Sequence, residues 1–470
     1  MNCSPRWLVG RWLVGTALSL GILAAPVLAE DGPTLAEEGV QKEPVSAELI
    51  SGLKTGDAQR VRATLEVGGQ VEFNAQEGQQ QLPLQVAGEL AYDELITHTG
   101  DGGPRRALRR YQKAEATIGV GEAQETKSLT DPTAVLLAEL EGGVFRINGS
   151  EQPLTREDLD VINIVGNSLA LDDLLPGRDV AEGDQWEHAA ETLSGLLSMD
   201  QVAVCEVASV VVGEKDAHVA VRMAGTVHGT VDGATTEMDL RGAYLFDPEI
   251  QRVRRLNLAV KETRARGGAT PGLEVVAKLK LAVDPLDAAP TFPEQALEAA
   301  GRLDQPVVDT LSYLPEHGRF QLMHPGNWYV TSEAGDLSSL RCMQESELIA
   351  HCNITTLPPR SAERHTTLQA FEDDVRSSLG ERLEQVVSAS EWETALGNHC
   401  LGIVGQGSVE GVPVEWRYYL IAADDLPRAS VAVTLQQSAS ERFSDGDRPL
   451  IDALQLMPVR EANAGNNTVK

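Results

Sequence analysis

The chain has 470 residues, with 70 Asp and Glu against 39 Lys and Arg, for a formal net charge of −31. Phosphate binding needs clustered Lys and Arg, so this balance excludes a nucleic-acid binder and a protein that settles on anionic membranes. Aromatic residues make up only 4% of the chain, which argues against a carbohydrate-stacking surface.

Residues 1–29 read as a secretory signal. Arg6 and Arg11 form a positive start, an apolar run follows from Trp12 to Ala25, and Val27-Leu28-Ala29 offers small residues before Glu30. Cleavage is expected after Ala29. The apolar run is shorter than the ~20 residues of a membrane span, and no later segment approaches that length. No Cys sits at the cleavage point, so a lipoprotein anchor is excluded. The mature chain is expected to be periplasmic or secreted, without stable membrane insertion. Its acidity then reads as a solubility feature.

After a spacer over 30–44, two β-rich copies are expected over 45–170 and 171–285. Gln85 to Glu94 (QVAGELAYDE) matches Asp239 to Glu249 (DLRGAYLFDPE), aligning Gly88 with Gly242, Tyr92 with Phe246 and Asp93 with Asp247. Leu108 to Gln112 matches Val253 to Asn257, and the Gly78 turn matches Asp232-Gly233. A short helical piece from Ala47 to Asp57 matches Ala190 to Asp200. Val219 to Val231 and Thr235 to Phe246 flank the Asp232-Gly233 turn as a hairpin, and Gly142-Gly143 joins Ala134–Glu141 to Val144–Asn148. A helix is predicted to begin at Thr155, with Asp158 as its capping partner. Another is predicted from about Trp186 to Met199, with Trp186, Leu193 and Leu197 on one stripe. Consecutive long strands make the sheet antiparallel, so the fold class is α+β and β-rich: a duplicated antiparallel sheet with covering helices. In architecture, though through no motif, this resembles lipoprotein carriers of the LolA/LppX type, which implies a curved sheet able to hold an apolar ligand.

Prolines at 285, 290, 293 and 306 mark residues 286–312 as a linker, with a short helix around Glu294–Arg302. From 313 to 458 the plan changes. Strands are predicted at Leu340–Met343, Ala350–Leu357, Gln385–Glu391, His399–Ser408, Val412–Ala422 and Ala429–Gln436. A helix over Thr367–Leu379 places Leu368, Phe371, Val375 and Leu379 on one face. A closing helix is predicted near Pro449–Leu456, and 459–470 reads as a disordered tail. Phe320, Leu322, Pro325, Trp328, the Phe371 helix, and the Gly405/Gly407 strand leading to Trp416 and Tyr418 give this region a resemblance to the PsbP-like family. That resemblance implies an α/β/α sandwich and a binding or assembly role, and it transfers no functional residue.

Cys205, Cys342, Cys352 and Cys400 remain after cleavage. In an oxidising compartment a disulfide is expected, with Cys342 and Cys352 as the candidate pair across a hairpin. His351-Cys352 and His399-Cys400 are the candidate metal ligands. Adjacent strand residues face opposite sides, however, so each dipeptide offers one ligand per side, whereas zinc wants three or four converging. No metal or cofactor is expected. Neither GNSLA around Ser168 nor GSVEG around Ser408 keeps the glycine frame of a hydrolase nucleophile, and no phosphate-binding loop is present. The Arg105-Arg106, Arg109-Arg110 and Arg254-Arg255 pairs read as solvated strand residues paired with nearby acids. The leading expectation is a non-enzymatic binding or assembly protein with a protein partner. The alternatives are a carrier of a lipid or other apolar small ligand, and a hydrolase with an unrecognised site. Oligomeric state stays open.

Overall fold

The computed structural model describes residues 46–458 apart from 76–77, 101–102, 269, 306, 345–346 and 360–365, with the backbone alone for 73–75 and 78–79. The signal, the spacer up to residue 44 and the tail over 459–470 lie outside the described residues. Among the described residues no helix is long and apolar enough to cross a membrane.

The N-terminal unit opens with β1 (Ser46–Leu49), β2 (Ala58–Ala75), β3 (Gly78–Thr99), β4 (Arg105–Val120), β5 (Ala123–Ser128), β6 (Val135–Glu141), β7 (Val144–Gly149) and β8 (Leu154–Thr155). Next come α1 (Arg156–Ile162), a 3-10 turn over Ser168–Leu174, β9 (Arg178–Ala181), β10 (Gln185–Glu187) and α2 (Ala190–Leu197). Then follow β11 (Gln201–Lys215), β12 (His218–Val231), β13 (Ala234–Asp247), β14 (Arg252–Arg264) and β15 (Gly272–Pro285). The long strands run β10-β11-β12-β13-β14-β15-β2-β3-β4-β6-β7, with β5 added on β4. Period-two patterning makes the sheet. In β15, Leu273, Val275, Ala277, Leu279, Leu281 and Val283 are buried, while Glu274, Val276, Lys278 and Lys280 between them face solvent. Helix α2 touches both β7 and β11, near opposite ends of the strand order, so the sheet curls around it. α1, the 3-10 turn and α2 fill the concave side.

The two matched segments therefore share one sheet. β12-β13-β14 and β2-β3-β4 stand four strands apart in the same order, joined where β15 pairs with β2. Both β3–β4 and β13–β14 bulge beside the aligned pair Tyr92 and Phe246. Pairing sets Tyr111 opposite Tyr92 and Val253 opposite Phe246, so the downstream match of Tyr111 to Leu256 is three residues out of structural register.

Three expected helices change. Ala47–Asp57 is not helical: Ser46–Leu49 pairs with β9 as a strand. The helix expected from Trp186 starts only at Ala190, because Gln185–Glu187 pairs with β11 and the Trp186 indole donates to the Leu174 carbonyl (3.0 Å). The closing helix stops at Asp452, and Leu454–Leu456 forms a strand instead.

The linker helix α3 (Glu294–Gly301) packs on the convex side, with Phe292, Ala296 and Ala300 against Leu108, Val135 and Leu137. The C-terminal unit holds β16 (Thr310–Tyr313), β17 (Phe320–Pro325), β18 (Trp328–Ala334), β19 (Leu337–Gln344), β20 (Glu347–Leu357), α4 (Leu368–Leu379) and β21 (Leu383–Glu393). It ends with β22 (His399–Val409), β23 (Val412–Ala422), β24 (Arg428–Gln436), α5 (Ser440–Phe443), α6 (Arg448–Asp452) and β25 (Leu454–Leu456). Its seven-stranded sheet runs β18-β19-β20-β24-β23-β22-β21. α4 covers one face through Phe371, Val375 and Leu379. The other face carries α5, α6 and a small sheet of order β25-β17-β16-β8. β8 comes from the N-terminal unit and pairs parallel with β16, which stitches the two units together.

Candidate functional site

Three polar features stand out, one inside the curved sheet, one on its convex side and one between the units. Inside, Arg109 on β4 donates through Nε to Glu94 Oε1 (2.7 Å) and through Nη2 to Asn167 Oδ1 and Ser168 Oγ (both 3.0 Å). Ser168 also donates to Glu94 (2.9 Å) and shares a hydrogen bond with the Tyr92 hydroxyl (2.9 Å). Gln59 bridges Glu94 to Arg252, whose Nε meets Asp172 at 2.5 Å. These contacts tie both ends of the 3-10 turn to the sheet. Burial pushes the Tyr92 and Tyr111 phenols up, so neither is an acid at neutral pH. The void beside Arg109, Tyr92, Phe145 and Asn167 is only about 10 Å³, too small for anything but a water molecule.

On the convex side, Arg106 and Glu139 are both fully buried and paired at 2.5 Å. Arg106 also donates to the carbonyls of Arg302 (2.8 Å) and Gln305 (2.6 Å). The linker is thus held against the sheet. The expectation that the arginine pairs are all solvated is corrected: Arg106 and Arg109 are interior, each beside a buried glutamate. Arg105 pairs with Asp173 and both Arg254 and Arg255 pair with Asp284, as the surface reading expects, whereas Arg110 lies over the Phe292 ring at 5.2 Å.

Between the units lies a cleft of about 510 Å³. Its carboxylates are Asp160, Asp200, Asp232 and Asp309, against the two guanidiniums Arg146 and Arg156. Arg156 sits in the field of Asp232, Asp160 and Asp309, and Arg146 Nη1 is buried without a hydrogen bond. Arg156 donates to the Gly326 carbonyl and lies 4.4 Å over the Tyr329 ring, and Arg146 stands 3.5 Å from Glu139. Asp232 and Gly233 take the positive φ values of a tight hairpin turn, 49° and 71°. That turn sets Asp232 Oδ1 where the Tyr329 hydroxyl reaches it (3.3 Å), and Gly233 donates to Asp200 (3.0 Å). Sequence reading found Asp232-Gly233 only as a turn. The remaining cleft residues converge from distant segments and left no local signal.

The candidate cysteines and histidines do not converge. Cys205, Cys342, Cys352 and Cys400 are free thiols. The expected Cys342–Cys352 bond is not formed, because the register sets Cys342 opposite Ala350 and Cys352 opposite Leu340. Diagonal neighbours stand too far apart for a disulfide. Burial pushes the Cys342 and Cys400 thiols up to about 12 and the Cys352 thiol higher still, which makes all three inert. His351 and His399 sit on β20 and β22 with β24 and β23 between them, strands that lie roughly 14 Å apart at sheet spacing, and the register sets His351 level with Gly405, well along β22 from His399. Each Cys faces the core and each His the outside, with His399 on Glu391 at 2.8 Å. Among the described residues no group of three or more His, Cys, Asp or Glu could hold a metal ion. Ser168 is buried in the inner network, out of reach of any substrate.

No family model matches the chain, and no curated protein matches it. Among solved structures, a protein from Bacteroides thetaiotaomicron is similar over 32% of this chain and 49% of its own length, at 13% identity and a TM-score of 0.24. This chain thus spans about half of that protein. A cyanobacterial PsbP from Synechocystis is similar over 32% of this chain and 95% of its own, at 10% identity and a TM-score of 0.25. A LolA superfamily protein from Nitrosomonas europaea is similar over 53% and 93%, at 8% identity and a TM-score of 0.11. At these scores the likenesses support no statement about what the chain does.

Proposed function

We propose that this chain is a non-enzymatic, extracytoplasmic binding or assembly protein. The observation that carries this reading is the filled interior of the curved sheet. The inner 3-10 turn is held by Glu94, Arg109 and Asp172, and about 10 Å³ is left beside it. Such a sheet is a frame and not a container. Ser209, with the His188 imidazole beside it (2.7 Å), is 1% exposed and offers no route for a substrate. The leader over 1–29 supports the compartment, and the docked linker and the β8–β16 pairing give one rigid surface to a partner. Purified protein incubated with ester, peptide, phosphate and glycoside substrates should turn over none of them. Turnover that disappears on changing a single residue would overturn the reading. Native mass spectrometry after gentle extraction should show no lipid-sized adduct, and a stable adduct would favour the carrier instead.

A further inference from the structure

We propose that Asn148 is a site of spontaneous modification: the backbone nitrogen of Gly149 closes on the Asn148 side chain, and the acid that results lets go of the linker at Val308. The proposal goes beyond the binding reading and does not depend on it.

Asn148-Gly149 is the only Asn-Gly pair in the sequence. Asparagine is a thermolabile residue, and a glycine after it leaves the following nitrogen unshielded by a side chain. In the interior of a sheet the pair would be protected, because a neighbouring strand would hold the glycine N–H. Here none does. Within its sheet β7 pairs with β6 alone. The Gly142-Gly143 turn closes that hairpin at the pair Glu141 and Val144. In a two-residue hairpin the closing pair is hydrogen-bonded, and so is every second pair after it. The alternation carries to the end of the strand, where Ser150 N donates to the Val135 carbonyl (2.8 Å). Gly149, one residue earlier, therefore turns its N–H away from β6. That N–H donates to Asn148 Oδ1 instead, at 2.8 Å. The nucleophile thus already rests against the side-chain amide it attacks, and both residues are only half-buried.

The fold fixes both members of this labile pair. A Cβ at position 149 would come within 1.9 Å of the Gln152 carbonyl oxygen, so the position takes glycine. Asn148 bridges two backbone groups: Oδ1 accepts from Gly149 N, and Nδ2 donates to the Val308 carbonyl at 2.8 Å. Aspartate would keep the acceptor and lose the donor.

The reaction needs only water besides the chain. Rotation of the Asn148 side chain presents Cγ to Gly149 N. A bond forms between that nitrogen and Cγ, the Cγ–Nδ2 bond breaks, and ammonia leaves with the proton the nitrogen gives up. Water then opens the cyclic imide to an aspartate or an isoaspartate. Either product sets a carboxylate against the Val308 carbonyl, acceptor facing acceptor, where a donor stood. Val308 lies between Val307, whose N–H meets Glu139 Oε1 (3.3 Å), and Asp309, whose carbonyl accepts from Gly326 N (2.7 Å). Losing the Asn148 bond therefore loosens the linker where it enters β16.

The test is ageing of the full chain at mildly alkaline pH, in buffer and in concentrated urea, followed by peptide mapping and isoaspartate detection. Asn148 is expected to convert before any other asparagine of the folded chain. Its rate should lie within about tenfold of the rate in urea, since only one or two ordinary hydrogen bonds have to open. Slower conversion overturns the proposal, because the fold would then protect the pair. Asn148→Gln keeps the amide but disfavours the ring, so position 148 should stay unconverted; conversion at the wild-type rate would mean direct hydrolysis and also overturns it. Release is read by hydrogen exchange of the linker peptide ahead of β16. Exchange should be about fivefold faster in the aged chain and in Asn148→Asp, the worth of one ordinary hydrogen bond. Exchange unchanged in both overturns the release.

Discussion

The concave side of the curved sheet and the core of the C-terminal sandwich are both dry, yet they are held in different ways. The sandwich core joins Phe320, Leu322, Trp328, Phe443 and Leu450 to three free thiols, and α4 adds twelve residues with a continuous apolar stripe. Its charge knot, Arg417 with Glu415 and Asp447, lies at the corner where β23 meets α5 and α6. The curved sheet is lined with short pieces instead, of seven, seven and eight residues. α2 is held by Leu193, Leu196 and Leu197 in the apolar core. The 3-10 turn is pinned besides by Arg109, Glu94, Arg252 and Asp172, and Arg106 with Glu139 does the same for the linker on the convex side. Buried charge pairs add little net stability, but they fix one arrangement against its neighbours and fail badly when one partner is lost.

That asymmetry sets the largest expected effect. Arg106→Ala leaves the buried Glu139 with only Arg146 at 3.5 Å and frees three linker carbonyls, so it should cost about 3–5 kcal/mol in urea unfolding. Replacing the pair together, Arg106→Met with Glu139→Leu, should restore most of that loss. If the single variant unfolds at the wild-type midpoint, the pair does not hold the linker. Acid comes next, and it probes both regions. Burial lowers His188, behind the 3-10 turn, and His324, in the small sheet, to about 4 each. Each is neutral in the fold and gains a proton on unfolding. The stability each gives is complete above the unfolded value of about 6.5 and is lost as pH falls towards 4. The full loss is on the order of 3 kcal/mol per histidine. Urea midpoints measured between pH 7.5 and 4.5 should flatten in part for His188→Gln and in part for His324→Gln. A slope unchanged in both variants would assign the acid sensitivity elsewhere.

What the sequence made legible follows the same division. Period-two strands, the Asp232-Gly233 and Gly142-Gly143 turns, and the α4 stripe each depend on neighbours within a few residues, and those elements were placed to within a few positions. Trp186 misled because an apolar residue at helical spacing from Leu193 also suits a short strand, and pairing with β11 decided between them. The cysteine pair failed on register, which a hairpin of unknown turn length does not reveal. Arg106 and Arg109 read as surface residues because their glutamates lie 33 and 15 positions away in sequence. The cleft gathers β7, α1, the β12–β13 turn and the β17–β18 turn, so only the fold brings its acids together.

A smaller effect tests the joint between the regions. Thr155 caps α1, accepting from Asp158 N (3.0 Å), while the Asp158 carboxylate accepts from Thr155 N (2.9 Å) and from Thr130 N (2.7 Å). Thr155 also belongs to β8, the strand that crosses into the C-terminal sheet. Thr155→Ala should cost about 1 kcal/mol, the usual worth of a cap. A loss well beyond this would mean that cap and crossing strand fail together, which differential scanning calorimetry would register as two transitions in place of one.

The smallest expected effect isolates burial from charge on a single hairpin. Lys113 and Arg109 stand on β4, and each has a glutamate partner on β3: Glu89 for Lys113, Glu94 for Arg109, both at 2.7 Å. Geometry is matched, but Lys113 and Glu89 face solvent while Arg109 and Glu94 face the filled interior. Water and salt screen the first pair and reach the second hardly at all. Lys113→Ala should leave the urea midpoint unchanged within error, at 20 mM and at 500 mM salt alike, whereas Arg109→Ala should lower it sharply at both. If the two substitutions behaved alike, the hold on the inner turn would come from pairing as such. If they differ as expected, it comes from the dry surroundings that the curl of the sheet creates.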